Sequence, residues 1–116
     1  SLENWYNAKF TTDSLKSKIK QDKWCLGGSN EYKYNYKKDM YDECVQSLCR
    51  ALFNKNAADG FWELLEQIYS LILKNPNQDV EFIFEQITED SIKVCPDFNA
   101  LSLKYFISTV KDGIQQ

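Results

Sequence analysis

The sequence predicts an all-α fold, a small disulfide-stapled bundle of about five helices, on three observations. Apolar residues recur at the i, i+3, i+4, i+7 spacing of a helix face in successive segments. No two segments alternate apolar and polar residues so as to give a strand and its partner. The 116 residues, 43% of them hydrophobic, suffice for one core and not for two, so residues 1–116 read as a single helical domain without linker or repeat.

Trp5, Tyr6, Ala8 and Phe10 form an aromatic N-terminal arm. Thr11, Thr12 and Asp13 then offer N-cap side chains to a short helix carrying Leu15 and Ile19, which Trp24 ends before the Gly27-Gly28 turn. Lys16, Lys18, Lys20 and Lys23 spread around this helix and leave it a narrow apolar stripe. From Glu31 to Lys38 tyrosine alternates with polar residues; lacking a partner strand, the stretch reads as an extended loop. Tyr41, Cys44, Val45, Leu48 and Leu52 define a second helix that ends near Asn54. Asp59 caps a third, with Phe61, Leu64, Leu65, Ile68 and Ile72 inward and Trp62, Tyr69 and Leu73 widening the face. Pro76 closes it, because the residue before a proline is pushed out of helical geometry. A fourth helix runs from about Gln78 to about Asp90 on Val80, Ile83, Phe84 and Ile87. A fifth begins at Cys95-Pro96-Asp97, with Pro96 in its first turn, and carries Phe98, Leu101, Tyr105 and Val110 to a stop at Gly113.

Composition removes several function classes. The chain has no histidine, hence no imidazole base, no His-activated nucleophile and no mixed Cys/His zinc site. It reads as a binding protein and not as an enzyme, with neither cofactor nor metal. Residues 1–38 hold 8 lysines against 4 acids (+4) and residues 39–116 hold 6 Lys/Arg against 13 acids (−7), which sums to the net −3. Net acidity and a single arginine, Arg50, argue against nucleic acid as a partner. No apolar run approaches the roughly 20 residues a membrane span needs.

The four cysteines Cys25, Cys44, Cys49 and Cys95 lack the close pairs of a zinc site and read as two disulfides, with buried free thiols as the alternative. Cys44 and Cys49 on one helix have Cα atoms roughly 8 Å apart on diverging faces, too far for a mutual bridge. Cys25 therefore joins Cys44 or Cys49, and Cys95 joins the other. With no initiator Met, Ser1 has the look of a mature N-terminus left by signal removal; a cloning scar or a trimmed chain would look the same. Secretion is the expectation.

Two surfaces have the chemistry of a protein interface. Tyr32, Tyr34 and Tyr36, interleaved with Lys33, Lys37 and Lys38, combine rigid contact area with positive charge; the plainer reading is a loop packing its rings on the bundle. Glu81, Glu85 and Glu89 stand at i, i+4, i+8, a row of like charges that suits a basic patch on a partner; the plainer reading is a solvated outer face. Phe61, Phe84, Phe98 and Phe106 would line a ligand cavity or, more simply, fill the core.

The start Trp5-Tyr6-Asn7-Ala8-Lys9-Phe10, the lysine-rich helix after it, Lys23-Trp24-Cys25, the four-cysteine layout and Cys95-Pro96 before a final helix together resemble the anophensin and albicin family of anopheline mosquito salivary proteins. The resemblance covers nearly the whole chain and rests on layout, not on a diagnostic motif. It implies a secreted, disulfide-bonded helical protein of the salivary gland that blunts host plasma defence. Its partners would be the C3b/Bb convertase of the alternative complement pathway or, in the alternative, factor XII and kininogen of contact activation. A small-ligand scavenger of the odorant-binding type is the other alternative, although those proteins usually carry a C-x3-C pair and six cysteines. An intracellular immunity protein whose acidic segment covers a basic toxin is a third, and reduced thiols would mark it.

Overall fold

The structure, a computed structural model, describes residues 1–21, 50–52, 60–93 and 95–115. Every element among them is helical: α1 (Leu2–Lys9), α2 (Thr12–Gln21), α3 (Phe61–Lys74), α4 (Val80–Gln86), α5 (Glu89–Lys93) and α6 (Ala100–Gln115), with residues 50–52 helical between α2 and α3. The all-α class is as the spacing predicts. The boundaries differ from expectation in several places.

The N-terminal aromatic arm is a helix. Ser1 caps α1 by accepting from the Asn4 N–H at 3.2 Å, and Glu3 and Lys9 sit where the helix dipole favours them. The Phe10 N–H donates to the Tyr6 carbonyl at 2.8 Å and ends it. Thr11 opens α2 as expected, its Oγ1 accepting from the Ser14 N–H at 3.2 Å.

At the start of α3 the N-cap is Gly60 at φ 82°, a left-handed conformation that favours glycine; Asp59 lies outside the described residues. Asn75 ends α3 with both its backbone N–H and its Nδ2 donating to the Leu71 carbonyl, at 3.0 and 2.9 Å, just ahead of Pro76.

The expected fourth helix is two. Asp79 caps α4 by accepting from the Phe82 N–H at 2.9 Å. Ile87 then leaves helical geometry at ψ 129° and turns its side chain into the core. Thr88 restarts the chain as α5, its hydroxyl accepting from the Ser91 N–H at 3.3 Å. The last helix begins later than Cys95-Pro96. Those residues form a turn, and Asn99 and Ser102 reciprocate as a capping box at 2.8 and 2.9 Å. Nor does Gly113 end α6, which continues to Gln115. Gly113 is buried, and a Cβ there would meet the Phe10 ring at 2.5 Å.

Residues from every described stretch of the chain share one core. Tyr6, Leu15, Leu52, Phe61, Ile68, Ile83 and Phe106 are each buried in it. Helix α6 packs on α4 and α3, and α3 also meets α4 and α5. Burial of each such side chain contributes about 1.5–3 kcal/mol.

Candidate functional site

Of the residues expected to meet a partner, Tyr32, Lys33, Tyr34, Tyr36, Lys37 and Lys38 lie outside the described residues, as do Cys25, Cys44 and Cys49. The structure does place the acidic row, and it corrects the single face expected for it. Glu81 and Glu85 lie on α4, whereas Glu89 begins α5, beyond the break at Ile87 and Thr88. The three side chains are exposed but do not form one continuous helical stripe.

Glu81 already has a partner on its own chain. Lys104 of α6 reaches its Oε1 at 3.0 Å and stands 5.0 Å from the centroid of the Phe84 ring. Phe84 therefore lies half-buried under a lysine, outside the stack of aromatic rings. Phe61, Phe98 and Phe106 do pack together: Phe106 stacks on Phe98 with centroids 5.0 Å apart and lies tilted against Phe61 at 5.4 Å. These rings fill the core where a ligand cavity was the alternative.

Cys95 is fully buried and carries a free thiol. Burial, with a smaller contribution from the Asp97 carboxylate, pushes its pKa up to about 11. Such a thiol stays protonated at neutral pH and makes a poor nucleophile. Arg50 stands 3.6 Å from Asp97 and so ties the helical stretch 50–52 to the Cys95 turn. Both side chains are well exposed, so this pair contributes under about 1 kcal/mol.

Two open clefts are formed by described residues. One, of about 150 Å³, lies between α1, α2 and the end of α6, with Lys9 and Asp112 beside Phe10 and Leu15. The other, of about 230 Å³, lies between α3 and α5 and is lined by Glu63, Leu64, Asp90 and Ser91. Each falls short of the roughly 300–1,000 Å³ of a small-molecule site. No group of metal-ligating side chains occurs among the described residues, and none of their helices is long and apolar enough to cross a membrane.

Sequence reasoning undervalued the surface formed by α1 and α3. Trp5 meets Tyr69 edge-on at 5.2 Å, and Tyr6 meets Trp62 at 5.8 Å. Trp62 and Tyr69 are half-buried there, and Leu73 is 55% exposed, the one large hydrophobic so placed among the described residues. The signal was present as apolar positions flanking the inward stripe of α3. No family model, no curated protein and no solved structure matches this chain.

Proposed function

We propose that the chain is a secreted salivary inhibitor of host plasma defence, acting on the alternative complement pathway by binding the C3 convertase, C3bBb. The observation that carries this reading is the layout shared with the anophensin and albicin family. Two of its elements have clear structural work here. Trp5, Tyr6 and Phe10 of the Trp5-to-Phe10 start form an aromatic cluster with Phe61, Trp62, Tyr69 and Phe106. Cys95 and Pro96 form the turn that leads to α6.

Inhibition proceeds by occupation of a protein surface, without bond making or cofactor. A chain without histidine suits that mode better than catalysis. The Tyr32–Lys38 segment supplies aromatic anchors with lysine steering. Secretion would oxidise the four cysteines to two disulfides, Cys25 with Cys44 or Cys49 and Cys95 with the other, each adding roughly 2–4 kcal/mol; the Cys95 thiol, free in the structure, would be consumed in the process.

Lysis of rabbit erythrocytes by human serum in Mg²⁺ and EGTA, which isolates the alternative pathway, tests the proposal. Dose-dependent protection, lost when Tyr32, Tyr34 and Tyr36 are together replaced by Ser in a folded variant, is the expected result. Absence of protection at micromolar protein rejects complement as the target and makes contact activation the next assay.

A further inference from the structure

We infer that α3 carries a self-complementary seam through which two copies of this chain pair antiparallel. The seam consists of Trp62, Glu66, Tyr69 and Leu73, which follow one another at intervals of four, three and four residues, the spacing of a coiled-coil stripe. At 100° per residue these four lie within about 60° of one another, beside the stripe that α3 turns to its own core. Trp62 and Tyr69 are half-buried, Glu66 is exposed and Leu73 is 55% exposed. A lone exposed leucine needs no explanation; this one prolongs an aromatic ridge.

The charges select the occupant. Glu63 stands in the first turn of α3 and Lys74 in its last, both exposed and on the same flank of the seam. A two-fold axis passing between residues 67 and 68 sets Leu73 against the partner's Trp62. It also sets Glu66 level with the partner's Tyr69, whose hydroxyl can donate to the carboxylate, and brings Lys74 beside the partner's Glu63. Each contact occurs twice. An unrelated apolar partner would have no reason to match opposite charges at the two ends of the seam, whereas a reversed copy of the same helix does so automatically. The seam is short, so the pairing is weak and concentration-dependent.

Sedimentation equilibrium of the full chain, from about 1 μM to about 1 mM, reads the pairing directly. The expected mass rises with concentration from 13.6 kDa towards twice that value. Leu73→Asp, at an exposed position, should keep the chain monomeric throughout with an unchanged helical circular-dichroism spectrum. Lys74→Glu should weaken pairing about tenfold, and adding Glu63→Lys to it should restore the affinity by exchanging the charges. A wild-type chain that stays monomeric at about 1 mM overturns the inference. So does a dimer that Leu73→Asp leaves intact, which would place the contact on another face.

Discussion

Helices α6 and α5 differ in nearly everything that holds a helix in place. Along α6, Ser102, Leu103, Tyr105, Phe106, Ile107, Thr109, Val110 and Gly113 are all buried, and even its polar members are satisfied, the Thr109 hydroxyl donating to the Tyr105 carbonyl at 3.0 Å. Along the five residues of α5 none is buried. The first helix is fixed by packing on several sides. The second exists because Thr88 caps it and because Ile87, just before it, is drawn into the core. Packing tolerates no loss of volume, whereas a cap can be lost locally.

Four substitutions break or sharpen this contrast. Phe106→Ala removes a ring that meets Tyr6, Phe61 and Phe98. It should lower the unfolding free energy by about 3–5 kcal/mol, read from the denaturant midpoint. Gly113→Ala tests the closest approach to α6. Alanine is the better helix former by about 1 kcal/mol, but its Cβ would fall 2.5 Å from Phe10 Cζ. A net loss of about 1–2 kcal/mol is expected, reversed in sign when Phe10→Leu is present in the background, because the ring no longer meets the methyl.

Thr88→Ala should cost about 0.5–1 kcal/mol and should act locally. Amide exchange would quicken across residues 89–93 while α6 stays protected, and equal acceleration in both helices would show that α5 is part of the global unit. Glu81→Gln, which removes the exposed partner of Lys104, should cost under about 1 kcal/mol and lose even that in high salt.

The same contrast explains what was legible in the sequence. Helix α3 could be read because one strong stripe, Phe61 to Ile72, faces a core while the opposite side meets water. Helix α6 could be read in the middle but not at its ends. Gly113 has the residue type of a stop, yet its lack of a side chain serves the approach of Phe10 and not a turn. Pro96 resembles a first-turn proline, but Asn99 and Ser102 together make the stronger cap. The break between α4 and α5 is not legible because Glu85, Gln86 and Glu89 are all comfortable in a helix. Only the pull of the core on Ile87 interrupts them, and that is a tertiary effect. The acidic row is therefore legible as spacing, while its division between two helices is not. The ridge on α1 and α3 is half legible: its residues flank the core stripe in the sequence, but their exposure depends on where α1 lies, and the spacing of residues 5–10 suggests only an arm.

The junction of Phe10 with Gly113 also bears on how the molecule comes together in time. Its two sides are separated by 102 intervening residues; of the other ring partners of α1, Phe106 is almost as remote along the chain, and Phe61, Trp62 and Tyr69 are a little over half as far. Bringing such distant segments together costs roughly 4 kcal/mol in chain entropy if nothing has shortened the loop beforehand. Helix α1 therefore has little reason to dock until α3 and α6 have already met, and it docks as a latecomer onto a formed surface. In the reverse direction it is the first piece to peel away, so Trp5 should report an early, low-cost opening before Phe61 and Phe106 separate.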